Sequence, residues 1–287
     1  MNDLSTNNQV TLEAGRKIGY AEYGPPQGTP IFYFHGFPSS RLDWQIVNDD
    51  QILIELNVRV IAPDRPGFGL STYVNGRQIG DWPADVIGLA NALQIDRIAV
   101  LGISGGGPYA AACAYEFRER LTKTGIVCGM GPYFAPGMQD GGSWTIPGTF
   151  SLFRGIMLRL TSMGIEKDPD QFISRSRETF SEPDRQLLDQ PDIVEYFING
   201  MREAFRQGVK GANQEAALFT RPWGFNLEDI SSEVHLWHGE KDLNVPISVG
   251  RYMAEHIPGC NSNFLEQEGH FTLPRNHLRE ILGSLVG

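Results

Sequence analysis

A chain of 287 residues exceeds the usual size of one compact domain, yet a single large α/β sheet reaches this length. A formal net charge of −10, with 20% charged residues and no basic cluster, argues against nucleic acid and anionic lipid as partners. The three scattered cysteines, Cys113, Cys128 and Cys260, form no C-x-x-C pair, so neither a disulfide scaffold nor a zinc site is expected.

The opening "MNDLSTNNQV" is polar and lacks the basic and apolar regions of a secretory leader, and no apolar run is long enough to span a bilayer. A soluble, cytoplasmic protein is expected. "VTLEAGRKIGYAEYG" alternates around Ala14–Gly15–Arg16, which predicts an antiparallel pair of edge strands. Continuous apolar runs follow in "PIFYFHGF", "VRVIAPDRPG", "RIAVLGIS" and "TGIVCGMG", and again later in "EVHLWHGEKD" and "SNFLEQEGH". Runs of this kind belong to strands covered on both faces, hence to a mostly parallel sheet. Helical spacing separates them: Val86, Leu89, Ala90 and Leu93 share a face in "DWPADVIGLANALQI", and "YAAACAYEFRERL", "SVGRYMAEHI" and "NHLREILGSL" continue the alternation. The pattern predicts a doubly wound α/β fold.

The alternation breaks after Gly131. Residues 132–223 show helical patterns and no strand, a stretch of about 90 residues that is too long for a plain loop. The reading is an α/β core formed by 1–131 and 224–287, with a helical insertion at 132–223 lying over one end of the sheet.

Gly102-Ile103-Ser104-Gly105-Gly106 fits G-x-S-x-G between a predicted strand and a predicted helix. A serine is thrust above a sheet only by a very tight strand-to-helix turn, and Gly102 and Gly106 remove the collisions such a turn would cause. Pro108 is tolerated in the first helical turn, and the helix N-terminus offers N–H groups where an oxyanion would form. A Rossmann loop would need G-x-G-x-x-G and a P-loop G-K-[ST]; neither is present.

A serine hydroxyl needs a base and a group to orient that base. Of His35, His235, His238, His256, His270 and His277, the best placed is His270, in "EQEGHFTLP" after an apolar strand. "HGEKDLNVP" offers Asp242 as the orienting acid, with Glu240 as second choice. One oxyanion donor should be the N–H of Gly105; the other should be the N–H of Phe37, just after the His35-Gly36 strand end, with His35 itself structural.

On "HGFP", "DRPGFGLS", "GISGGG", "HGEKDLNVP" and "EGHF", taken in order, the chain resembles the capped, serine-nucleophile members of the α/β-hydrolase fold family. The resemblance spans nearly the whole chain and implies the α/β-hydrolase fold with an α-helical cap. It assigns Asp64 and Arg65 a structural turn. Ser104 stands where epoxide- and halide-processing relatives carry aspartate, and "HGFPS" differs from the "HGGPG" of iminopeptidase-like relatives. The expected activity is hydrolysis of a small carboxylic ester by a serine carboxylesterase-like enzyme, without cofactor or metal. C–C bond hydrolysis, peracid formation and a non-catalytic small-molecule receptor stand as alternatives. Trp144, Phe150, Phe153, Met157 and Phe172 are the proposed pocket walls, and a homo-oligomer is left open.

Overall fold

The computed structural model describes residues 5–12, 15–117, 119–139 and 151–287. Strands β1 (Asn8–Thr11) and β2 (Lys17–Tyr23) pair antiparallel, with Val10 opposite Ile18, as the alternation predicts. Strand β2 also pairs antiparallel with β4 (Val58–Pro63). Beyond it, β4, β3 (Thr29–Phe34), β5 (Ile98–Ile103), β6 (Leu121–Val127), β7 (Val234–Gly239) and β8 (Asn261–Leu265) are parallel neighbours. The order across the sheet is β1-β2-β4-β3-β5-β6-β7-β8. From β3 the chain steps one way to β4 and then crosses to β5 on the other side. A parallel sheet opens a crevice at such a switch point, outside the carboxyl ends of its strands.

The helices that cover the sheet are α1 (Asp50–Glu55), α2 (Trp82–Ala92), α3 (Gly107–Glu116), α9 (Ile247–His256), α10 (Thr272–Asn276) and α11 (Leu278–Val286). The continuous apolar runs exist because both faces are buried. Phe32, Phe34 and Val100 join Val86 and Leu89 of α2, Tyr109 of α3 and Met253 of α9. Ile31, Tyr33 and Leu101 join Leu53 of α1 and Leu278, Ile281 and Leu285 of α11. Each such large side chain contributes roughly 1.5–3 kcal/mol by leaving water. Helix α3 is shorter than its alanine-rich sequence suggests: Phe117 turns to extended angles, and β6 starts at Leu121.

Between β6 and β7 the described residues form α4 (Ser151–Lys167), α5 (Pro169–Arg177), α6 (Glu182–Leu187), α7 (Pro191–Ala204) and α8 (Lys210–Phe219). Prolines in the first turns of α5, α6 and α7 divide this stretch into short helices, since proline fits where an N–H would lack a partner anyway. The segment has its own small core of Ile165, Ile173, Ile198, Met201 and Phe205, into which Phe68 of the turn after β4 inserts. No helix among the described residues is long and apolar enough to cross a membrane.

Candidate active site

Ser104 sits where β5 gives way to a single 3-10 turn (Ser104–Gly106) and then to α3. Its φ is 55°, a left-handed conformation that costs a non-glycine residue energy and that the surrounding turn must enforce. A side chain at Gly102 would run into the carbonyl of Gly106, and one at Gly106 into the carbonyl of Phe34, so backbone passes against backbone at both points. Gly105 and Gly107 allow close approaches of other loops. A Cβ on Gly105 would lie 2.8 Å from the Phe37 Cβ and 3.2 Å from the Phe37 N, and one on Gly107 would lie 2.9 Å from the Gly129 Cα. The elbow is thus pressed between the loop after β3 and the loop after β6, and the backbones of Phe37 and Gly105 lie side by side. The Met130 N–H donates to the Ser104 carbonyl at 2.9 Å, tying the loop after β6 to the elbow.

The loop after β3 is pinned from two sides. The Asp43 carboxylate accepts the Gly36 N–H at 2.8 Å, the Tyr33 hydroxyl at 2.7 Å and the Ser39 hydroxyl at 2.7 Å. From the other side Arg65 donates to the carbonyls of His35 at 2.6 Å and Gly36 at 2.9 Å. His35 is fully buried; its Nδ1 faces the Gly36 carbonyl at 2.8 Å and its Nε2 accepts the Arg65 N–H at 3.3 Å. Burial, with Arg65 alongside, holds its pKa well below the ordinary imidazole value. A neutral ring in that tautomer is a fastener of the loop.

Arg65 in turn pairs with Glu215 of α8 at 2.5 Å, and Glu215 also takes Arg77 and, at 2.9 Å, the hydroxyl of Tyr109. Burial pushes the Glu215 pKa up, but Arg65 and Arg77 outweigh it and hold the group below the usual carboxylate range. Neither Asp43 nor Glu215 stands out in the sequence. The partners of Glu215 lie on distant elements, those of Asp43 meet it only where the chain after β3 folds back on itself, and no local motif announces either.

The turn after β7 carries Asp242, whose Oδ1 accepts the N–H groups of Asn244 and Val245, both at 2.8 Å. Its Oδ2 stands 2.7 Å from Nδ1 of His270, and both side chains are buried. Burial disfavours the Asp242 charge, but the His270 ring overcomes this and sets the pKa below normal. Burial likewise disfavours the imidazolium, yet the charge and hydrogen bond of Asp242 raise the His270 pKa above its ordinary value. His238 lies 3.5 Å from the same Asp242 oxygen; burial lowers its pKa, and its Nε2 meets the Val245 carbonyl at 2.8 Å. Glu240, the second choice for the acid, instead pairs with Arg251 on the surface.

Ser104, His270, Gly36 and Phe37 line one cavity of about 300 Å³. Phe172, Phe180, Phe197, Met201 and Met130 supply apolar wall, and Asp43, Ser39, Asn244 and Thr179 supply polar points. Of the pocket residues read from sequence, Phe172 lies in this wall. Phe153 and Met157 do not: they are 53% and 38% exposed on α4, on the face shared with Ile156 and Leu160, while Arg154 and Ile165 turn inward. Helical spacing shows that such residues share a face and not which way that face points. Trp144 and Phe150 lie outside the described residues.

Cys128, Asp242 and His270 bring potential metal-ligating atoms within 4.8 Å of one another. The donor set suits hydrogen bonding better than coordination. The 2.7 Å between Nδ1 and Oδ2 is a hydrogen bond, the other Asp242 oxygen already accepts two N–H groups, and burial raises the Cys128 pKa and keeps the thiol protonated.

An elbow serine and the imidazole of a buried carboxylate–imidazole pair thus line one cavity of the α/β fold. The chain belongs to the alpha/beta hydrolase family, whose model matches residues 31–279. It is 36% identical to a non-heme chloroperoxidase of Streptomyces lividans over 83% of each chain. It is 33% identical to a bifunctional esterase/perhydrolase of Acinetobacter calcoaceticus over 86% of this chain and 87% of that one. An esterase from Exiguobacterium antarcticum, at 21% identity, shares the fold with a TM-score of 0.72 over 98% of this chain and 99% of the other.

Proposed function

We propose that the protein is a serine hydrolase that cleaves small, uncharged carboxylic esters through an acyl-enzyme, with residues 132–223 acting as the cap that shapes the pocket. Ser104 Oγ attacks the carbonyl carbon while His270 Nε2 takes its proton. Asp242 fixes the imidazole tautomer and balances the imidazolium. Negative charge gathers on the former carbonyl oxygen, next to the N–H groups of Phe37 and Gly105. The C–O bond then breaks, and the alcohol leaves with the proton that His270 held. Water, deprotonated by His270, attacks the acyl carbon, and the acid departs as Ser104 regains its proton.

The observation that carries this reading is the pairing of a strained elbow serine with an Asp242-bound imidazole in one cavity. The wall favours an apolar acyl group, and the carboxylate of Asp43 in the same cavity disfavours an anionic one. That weighs against C–C bond hydrolysis of acidic substrates and leaves neutral esters. Peracid formation stays open as a second activity, because the curated relatives include a perhydrolase. Hydrogen peroxide would replace water at the acyl-enzyme, giving a peracid in place of the acid. A receptor that binds without turnover has no need of an Asp242-bound imidazole in the cavity that Ser104 lines.

The test is turnover of short p-nitrophenyl esters. Ser104→Ala should lower kcat by about 10⁶-fold, as loss of the nucleophile does in serine hydrolases. An anionic hemisuccinate ester should react more slowly than its neutral counterpart. Full activity in Ser104→Ala, or equal rates on both esters, would contradict the corresponding part of the reading.

A further inference from the structure

We propose that Asp184, on α6 of the helical segment, is a positioning residue for His270: it holds the main chain of the base, so that the imidazole is aimed at Ser104 only while the helical segment is seated. The proposal rests on the triad reading above and adds to it a residue that never touches substrate.

Asp184 is fully buried. Its Oδ2 accepts the His270 N–H at 2.9 Å and the Ser181 hydroxyl at 2.7 Å. Its Oδ1 accepts the N–H groups of Phe271 at 2.8 Å and Thr272 at 3.0 Å. These three N–H groups lead into the first turn of α10, where a helix leaves donors without internal partners. The usual remedy is a capping side chain at the helix's own start. Phe271 occupies that place and makes no side-chain cap. The cap comes instead from a carboxylate 86 residues away in sequence, in a different part of the fold.

Sequence and packing agree on this arrangement. A Cβ on Gly269 would strike both the Asp184 carboxylate and the Ser181 hydroxyl, so the glycine before His270 makes room for the contact. Phe271 is gripped by the same segment, with its ring edge-on to Phe180 at 5.2 Å and to Phe197 at 5.8 Å. A buried carboxylate without a cation is costly unless hydrogen bonds satisfy it. Here three of the four donors that do so, the N–H groups of His270, Phe271 and Thr272, belong to the loop of the candidate base, and the fourth is the Ser181 hydroxyl. Lifting the helical segment would strand this carboxylate and free the His270 loop together, which couples cap seating to the aim of the base.

The groups around His270 give the test its second readout. Asp242 bonds the ring, Asp184 and Asp43 add negative charge nearby, His238 sits against Asp242, and the Cys128 thiol stays protonated. Removing the Asp184 charge therefore lowers the His270 pKa. The base works as neutral imidazole, so the acid limb of kcat/KM moves to lower pH even as the plateau falls.

The experiment compares full-length wild type, Asp184→Asn, Asp184→Ala, Ser104→Ala and His270→Ala on a p-nitrophenyl ester across pH, with thermal melts of each. Asp184→Asn keeps the shape but turns a donor toward the His270 N–H; Asp184→Ala removes every bond. We expect kcat to fall roughly tenfold and about 10²-fold respectively, the scale of a small misplacement of a catalytic group, with KM little changed and the acid limb of Asp184→Asn shifted down. Should Asp184→Ala fail to fold, Asp184→Asn decides alone. Wild-type kcat and limb in Asp184→Asn beside an inactive His270→Ala would overturn the positioning role and spare the triad. A loss that tracks the unfolded fraction with an unmoved limb would likewise overturn it. An active Ser104→Ala or His270→Ala would remove the triad reading and this proposal with it.

Discussion

In the proposed mechanism His270 is where the chemistry meets pH. Burial alone would keep its ring neutral; the charge and hydrogen bond of Asp242 win, and its pKa lies above the ordinary value. The general base must be unprotonated, so kcat/KM should be full above that raised pKa and fall as pH drops through it. The midpoint of the acid limb should lie above about 6.5, the value of a free imidazole. A pH–rate profile on a neutral ester checks this. Asp242→Asn should lower kcat by about 10⁴-fold, because the amide selects the wrong tautomer. It should also move the acid limb down, since the charge that raises the pKa is gone. Ser104, Asp242 and His270 are legible in the sequence because each lies in a short local pattern at a strand end. Asp43 and Asp184 are not, because what makes them matter is an N–H brought from elsewhere: from Gly36 in the first case and from His270 in the second.

At the scale of elements, the elbow is a collision avoided at two points. Gly106→Ala would drive a methyl group into the Phe34 carbonyl. Overpacking of this kind costs about 1–3 kcal/mol, and urea denaturation should show that loss together with reduced turnover. The strands could be read from their apolar runs because both faces of the sheet are buried, and a run of apolar residues is what that demands. The edge pair β1–β2 could be read for the opposite reason, from its alternation. Helix α4 shows where such reading stops. Phe153 and Met157 share a face with Ile156 and Leu160, as the period of 3.6 requires, but the neighbours of α4 turn that face outward. Direction depends on tertiary packing, which periodicity does not encode.

At the scale of the whole molecule, carboxylates buried or partly buried between them tie the helical segment to the core. Glu203 reaches Arg41 at 2.7 Å, Glu215 reaches Arg65 and Arg77, and Asp184 reaches the His270 loop. Breaking one member of a buried pair leaves an uncompensated charge. Glu215→Ala strands two guanidinium groups and should destabilise the fold by about 3–5 kcal/mol, measurable by urea unfolding. It should also slow catalysis, because Arg65 is what holds the carbonyls of His35 and Gly36. The strand–helix rhythm breaks in the sequence where the described residues hold α4 to α8, while the carboxylate links of these helices to the core leave no local signal. The most direct test of the account is intact-mass analysis after treatment with a neutral p-nitrophenyl phosphonate. The account predicts one stoichiometric adduct on Ser104 in the wild type, none in Ser104→Ala, and strongly slowed labelling in His270→Ala. A wild-type protein that turns over esters yet takes up no label, or takes it up elsewhere, would contradict it.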